Sequence, residues 1–401
     1  MSRHVQRLLW VRGLRAFGDG FVSLLLPLYL IELGLGPFQV GAITAGTLLG
    51  SGILTLAIGL GAYRFRLRSL LLCATLMMAA TGLGFAVVTN FWPLLLIAVI
   101  GTLNPSSGDV SVFLPLEQAA LAHLASDRER TALFARYSLV GALVAALGAL
   151  SAGLPGLMVD AVGIPMRSAL QLMFGLYGVI GVIAAMIYRK LPADFAGGTQ
   201  TSTAPLKESK RIVYALAALF SLDAFGGGFI VQSMLALWLF EKFQLSVGLA
   251  ATIFFWTGIC TAFSYLLAVR IARRFGLINT MVFTHLPASV LMVLIPLMPT
   301  LSWVIALLLV RSALSQMDVP TRSSYVMAVV SPSERAAAAS ITSVPRSLAS
   351  AISPLAAGYL LQISTFGWPC LIGGVLKIVY DLLLLGMFRA VRPPEEAQKR
   401  K

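Results

Sequence analysis

Of the 401 residues in this chain, 58% are hydrophobic and 11% are Asp, Glu, Lys or Arg, about half the charge density of a water-soluble domain, which excludes water as the main solvent. A formal net charge of +14 would suit a nucleic-acid binder in a soluble protein; here the basic residues follow the loops, which fits orientation in a bilayer and not nucleic acid. Cys73, Cys260 and Cys370 stand singly without a nearby His, so neither a disulfide scaffold, a metal site nor a bound cofactor is expected.

The first 15 residues carry Arg3, Arg7, Arg12 and Arg15 and run straight into an apolar helix with no small-residue cleavage site, so a retained first helix is expected, not a removable signal. Apolar runs long enough to cross about 30 Å of hydrocarbon as helices then follow at 14–34, 39–61, 68–88, 92–122, 131–154 and 166–188. Residues 193–209 are polar and rich in Gly, Ser and Thr, the composition of a linker. Further runs follow at 211–240, 245–271, 277–299, 302–330, 335–363 and 367–390. They are apolar all round and lack the alternation of barrel strands, so helices are implied. The pattern predicts an all-α polytopic membrane protein of twelve transmembrane helices in two six-helix bundles, 1–190 and 211–401, joined by a cytoplasmic linker at 191–210.

Short cytoplasmic loops collect Lys and Arg. Arg3, Arg7, Arg12, Arg64, Arg66, Arg68, Arg128, Arg130, Arg136, Arg189, Lys190, Lys207, Lys210, Arg211, Arg270, Arg273, Arg274, Arg335 and the tail from Arg389 all fall on one side of such a topology, with Arg167 and Lys242 on the other. Both termini and the linker are therefore expected inside an inner (plasma) membrane. The two halves are also related in sequence. Ala-Phe-Gly-Asp-Gly-Phe at 16–21 matches Ala-Phe-Gly-Gly-Gly-Phe at 224–229, and Pro-Leu-Tyr-Leu-Ile-Glu at 27–32 matches Ala-Leu-Trp-Leu-Phe-Glu at 236–241. A shift of about 209 residues also brings Asp109-Val110 onto Asp318-Val319. Duplication of a six-helix unit accounts for all of these matches.

An ionisable side chain near the bilayer centre costs roughly 2.5–3.5 kcal/mol on insertion scales, so those present face a cavity or a partner. Asp19 lies on the first expected helix, Asp109 and Glu117 on the fourth, Asp223 on the seventh, and Arg311, Asp318 and Arg322 on the tenth. Asp109 and Glu117 have no basic neighbour within a turn of their own helix, which makes them, with Asp223, the candidates for proton coupling. Asp19 stands four residues after Arg15 and is expected to pair with it. Asp318 and Arg322 pair on one face or act in gating, and Lys377 and Asp381 are expected to pair four apart. Arg346 adds a further positive group to the second half, while Phe21 and Phe229, at matching repeat positions beside glycines, are the aromatics expected at a solute surface. His123 and His285 stand alone and are expected to be packing residues.

With two six-helix repeats, a central linker and basic loops after the second and eighth helices, the chain resembles the major facilitator superfamily over essentially its full length. That family's loop Gly-x-Leu-Ala-Asp-Arg-x-Gly-Arg-Arg is matched by Gly-Leu-Gly-Ala-Tyr-Arg-Phe-Arg-Leu-Arg at 59–68, where Tyr63 replaces the acid and Arg66 the glycine. The second copy, at 270–276, keeps Arg-Phe-Gly, and Gly148 with Gly-Leu-Pro-Gly at 153–156 is similar to the fifth-helix motif of antiporters. The resemblance implies that the first, fourth, seventh and tenth helices line a central cavity, where the intramembrane charges were placed independently of it. It implies alternating access by a secondary transporter, with proton-coupled export of a small organic or amphipathic solute as the first expectation. Uptake of an organic anion or nutrient, or lipid translocation, is the alternative. The absence of a Walker sequence, HExxH or GxSxG argues against ATP-driven transport and against an enzyme. A monomer acting on a small molecule, with protons or another ion and the lipid bilayer as its other partners, completes the expectation.

Overall fold

The computed structural model describes residues 3–61, 65–106, 111–124, 127–192, 209–331 and 334–389. In chain order its helices are α1 (Arg3–Glu32), α2 (Pro37–Gly61), α3 (Leu67–Val87), α4 (Phe91–Ile100), α5 (Phe113–Leu124), α6 (Asp127–Ser151), α7 (Leu154–Val162), α8 (Met166–Tyr188), α9 (Lys210–Gly228), α10 (Gln232–Phe243), α11 (Val247–Phe275), α12 (Leu277–Leu294), α13 (Leu301–Leu314), α14 (Asp318–Val329), α15 (Arg335–Ile363) and α16 (Trp368–Phe388). No strand occurs among the described residues. Sharp turns between helices fall where only glycine is comfortable, as where Gly163 (φ 73°) closes α7 and Gly276 (φ 84°) separates α11 from α12.

Nine helical stretches among the described residues are long and apolar enough to cross a membrane, with α6–α7 and α9–α10 each counted as one. Three expected spans are not among them. The run 92–122 is divided into α4 and α5 and the run 302–330 into α13 and α14. The third is the continuous α15, which carries Arg346 and a row of Ser and Thr including Ser340, Thr342, Ser343, Ser347, Ser350 and Ser353. Large apolar side chains such as Leu76, Val87, Trp92, Phe283 and Trp303 stand exposed, whereas Arg15, Glu117, Asp223 and Asp381 are buried. That inversion of the soluble pattern is what a hydrocarbon solvent selects.

The helix breaks have local causes. After α4, Gly101 and Pro105 stop the helix, and Asn104 Oδ1 accepts from the Ser106 N–H at 3.1 Å and hydroxyl at 2.8 Å. The freed backbone of the break is satisfied by side chains: the Thr102 N–H donates to Thr81 Oγ1 (3.3 Å) and the Thr102 carbonyl accepts from Tyr177 Oη (3.0 Å). After α13, the Gln316 N–H likewise donates to the Ser264 hydroxyl at 3.3 Å. Such pairing is what permits irregular backbone at membrane depth. Between α9 and α10 the break follows Gly226, Gly227 and Gly228.

By packing, the chain forms two units. The first comprises Met1–Gln200, Val231–Gly258 and Pro354–Thr365; the second comprises Thr201–Ile230, Ile259–Ser353 and Phe366–Lys401. Packing therefore groups α10, the start of α11 and the end of α15 with the first six-helix repeat, a different partition from the division by sequence repeat.

In the first unit α1 lies directly on α6. A Cβ added to Gly148 would sit 2.1 Å from the Phe17 carbonyl oxygen, and one added to Gly20 would sit 2.2 Å from that of Ala145. α3 approaches α8 in the same way, with a Cβ on Gly82 falling 2.3 Å from the Gly178 nitrogen. Close approach through small residues is how helices associate when lipid offers no hydrophobic drive. Gly148→Val is expected to destabilise the protein by about 1–3 kcal/mol or more through overpacking against backbone that cannot yield. Thermal unfolding in detergent checks this; an unchanged Tm would show that α1 and α6 separate without cost. In the second unit, α9, α12, α14 and α16 enclose a core that includes Val213, Phe220, Met281, Tyr325, Tyr380 and Leu384.

Candidate functional site

Each unit contains a buried charge bridge between helices distant in sequence. In the first, α1 carries Arg15 and α5 carries Glu117. The Arg15 guanidinium donates to Glu117 Oε2 at 2.6 Å, with both side chains almost fully buried. Two tyrosine hydroxyls, Tyr137 from α6 and Tyr188 from α8, also donate to this carboxylate. The Arg15 guanidinium lies over the Phe113 ring at 3.9 Å, and that of Arg12 over Tyr137 at 4.8 Å. Three charge-assisted hydrogen bonds and two cation–π contacts offset the large desolvation cost of burying an ion pair.

In the second unit, Asp223 on α9 is shared by two cations. Its Oδ2 accepts from Arg322 of α14 at 2.8 Å and its Oδ1 from Lys377 of α16 at 2.6 Å. Arg322 also donates to Asp318 four residues earlier and stacks over Phe220 at 5.1 Å. His285 of α12 places Nδ1 3.0 Å from both carboxylate oxygens of Asp381, while its Nε2 lies 3.5 Å from Lys377 Nζ and 3.6 Å from Asp223 Oδ1. The chain Asp318, Arg322, Asp223, Lys377, His285, Asp381 is thus continuous across α9, α12, α14 and α16.

The two bridges are related by the repeat and reversed in sign. Aligning 16–21 with 224–229 sets Arg15 against Asp223. In each repeat the first helix reaches the second piece of its broken fourth helix, with Arg to Glu in one and Asp to Arg in the other. The flanking aromatics repeat too: Phe17 and Phe21 meet edge to face at 5.7 Å, and Phe225 and Phe229 at 5.4 Å.

Asp318 and Arg322 pair as their spacing predicts. Three other local expectations are corrected. Arg15 goes to Glu117 and not to Asp19, which is buried and takes a 3.5 Å hydrogen bond from Asn104. Lys377 and Asp381 do not satisfy one another, because Asp223 and His285 take them. His285 is no solitary packing residue. For Arg15 and Lys377 a partner from another helix outcompetes the one a turn away. Glu117, without a base on its own helix, has Arg15 across the bundle. Phe21 is fully buried beside Met173 and Phe174, and Phe229 is buried with Phe225, so both belong to the packing of their own units. Arg346 is exposed on α15 and Arg311 half-buried on α13. Asp109 and the His123 side chain lie outside the described residues. Sequence reasoning passed over Tyr137, Tyr188 and His285 as site members; a tyrosine or histidine in an apolar helix gives no sign of what it faces.

Long apolar helices, interrupted where backbone is held by side chains and carrying a buried charge bridge in each repeat, define a polytopic helical membrane protein of the transporter type. The chain belongs to the Major Facilitator Superfamily, whose family description matches residues 8–310 and 216–401. It is 26% identical over 426 aligned positions to the uncharacterized membrane protein YJR124C of Saccharomyces cerevisiae, covering 96% of this chain and 94% of that one. Among solved structures it superposes on a variant of the nucleoside transporter NupG with a TM-score of 0.78 at 15% identity, covering 96% of this chain and all of the other. An occupied, inward-facing bacterial homologue of the human lysosomal transporter Spinster gives 0.72 at 16% identity, with 96% and 95% covered. The human organic anion transporter MFSD10 (TETRAN) gives 0.66 at 16% identity, with 96% and 100% covered. At such identities the likeness is one of fold, and that fold is an all-α membrane transporter fold.

Proposed function

We propose that the chain is a secondary active transporter working by alternating access, in which the repeats at 1–190 and 211–401, joined by the linker at 191–210, expose a solute site to each face of the membrane in turn. The reading is proton-coupled export of a small organic or amphipathic solute by a monomer of the inner membrane, both termini cytoplasmic, as the basic loops favour. The observation that carries it is the pair of reversed bridges, Arg15–Glu117 and Asp223–Arg322. A buried carboxylate that loses its cation when helices shift must be neutralised, and a proton does so at least cost. Glu117 and Asp223, together with Asp109, are the proton carriers on this reading; Asp19, Asp318 and Arg322 are the groups that trade partners.

Uptake of an organic anion is the second reading, favoured by the exposed Arg346 on α15 and in keeping with the fold shared with the human organic anion transporter MFSD10. The test is flux in proteoliposomes, using a solute first found by its effect on thermal stability across a panel of organic cations, anions, nucleosides and amphiphiles. Accumulation against a gradient driven by an imposed pH difference, and lost in Asp109→Asn, is expected. Flux indifferent to the pH difference would overturn proton coupling. Movement of labelled phospholipid alone would replace solute export with lipid translocation.

A further inference from the structure

Between α12, α13 and α16, wholly within the second unit, lies a small cavity of about 60 Å³ lined by His285, Ser289, Arg311, Ser315, Gln316 and Lys377. At about 30 Å³ per water, it has room for two waters or one small ion. Its polar surface is one-sided. Arg311 brings up to five N–H donors and Lys377 an ammonium group. Gln316 Oε1 already accepts from Tyr265 Oη at 3.2 Å, which leaves its amide N–H groups as the unassigned face. Ser289 spends its hydroxyl proton on the His285 carbonyl at 2.9 Å. No carboxylate is among the lining residues.

The ion pairs nearby lie among other groups. Arg322 pairs with Asp223 and Asp318, Lys377 pairs with Asp223, and His285 Nδ1 lies against the Asp381 carboxylate. Arg311 has no ion-pair partner among the described residues; Cys370 is the group near enough to interact with it, and a thiol is neutral at pH 7. A guanidinium cannot shed its charge, so Arg311 brings to the cavity a positive charge without an ion-pair partner among the described residues, in a lining whose other polar groups include the Lys377 ammonium and the Gln316 amide.

We propose that this cavity is a binding site for one small monovalent anion, of the size of chloride or formate, held by Arg311, Lys377 and Gln316. The site is lined by residues of a single unit and, at about 60 Å³, is small for an organic solute, so it is a structural anion site whatever the protein carries, and it does not rest on the transport reading.

The probe is chloride itself. Purified protein is held at fixed ionic strength while gluconate, too large for the cavity, is replaced by chloride, bromide or formate, and Tm is followed by intrinsic fluorescence. Saturable stabilisation by all three small anions is expected, on the order of 1–2 °C for each tenfold rise above Kd. Arg311→Gln should flatten the response while keeping helical content by circular dichroism; Arg311→Lys should retain part of it. Should Arg311→Gln fail to fold, equilibrium dialysis of the wild-type protein against labelled chloride decides the matter, with stoichiometric binding expected. Absence of binding, or an equal chloride response in Arg311→Gln, would mean that the cavity holds only water and would overturn the proposal.

Discussion

Glu117→Ala is expected to lower stability by about 3–5 kcal/mol, because it removes the carboxylate that the buried Arg15 guanidinium pairs with. Glu117 is fully buried and holds Arg15 at 2.6 Å together with the hydroxyls of Tyr137 and Tyr188. Once the carboxylate is gone, Arg15 keeps the Phe113 ring at 3.9 Å, a contact worth roughly 0.5–2 kcal/mol, which cannot offset a desolvated charge. The reverse truncation is not equivalent. Arg15→Ala leaves a carboxyl group that retains two hydroxyl donors and can be neutralised by a proton, whereas a guanidinium cannot be neutralised. It should therefore cost less than Glu117→Ala. Arg15→Met with Glu117→Leu removes both charges at similar volume and should recover most of the loss. Thermal unfolding of the three variants measures all of this. If Arg15→Ala proves the more damaging variant, the bridge is not what holds α1 to α5.

The repeat explains why so much of the fold could be read from sequence. Nine of the expected spans are plain runs of apolar residues, and the match of 16–21 with 224–229 reappears as two edge-to-face phenylalanine pairs of nearly equal spacing. Of the acids and arginines placed on the first, fourth, seventh and tenth expected helices, Asp223 and Arg322 do meet, whereas Glu117 meets Arg15, which was expected to pair with Asp19. The choice of partner was the hidden part. A four-residue spacing on one helix yields about 0.2–0.5 kcal/mol for a pair, too little to hold Lys377 to Asp381 against Asp223 and His285 once burial has removed water. Partners separated by 102 residues, as Arg15 and Glu117 are, leave no local trace. The breaks at Gly101 and after Leu314 are legible as glycine, proline and polar residues within apolar runs, but the Thr81 and Ser264 hydroxyls that satisfy the freed N–H groups are not.

The Asp223 carboxylate separates a structural role from a coupling role, because two cations on different helices depend on it. Asp223→Asn removes the counter-charge of Lys377 at 2.6 Å and one of the two carboxylates that hold Arg322. Arg322 keeps Asp318, so the surplus charge falls on Lys377, and a loss of about 3 kcal/mol is expected, as for other buried pairs broken on one side. Adding Lys377→Met restores charge balance and fills the same volume with an apolar chain, which should return stability close to that of the wild type. Transport is expected to behave differently. If Asp223 carries the proton, pH-driven flux falls to background in the single variant and stays there in the double variant, despite its regained Tm. If flux returns together with stability, Asp223 is a brace between α9 and α16, and coupling lies with Glu117 and Asp109. The double variant is thus informative where Asp223→Asn alone is not, since the single change alters charge balance and proton capacity together.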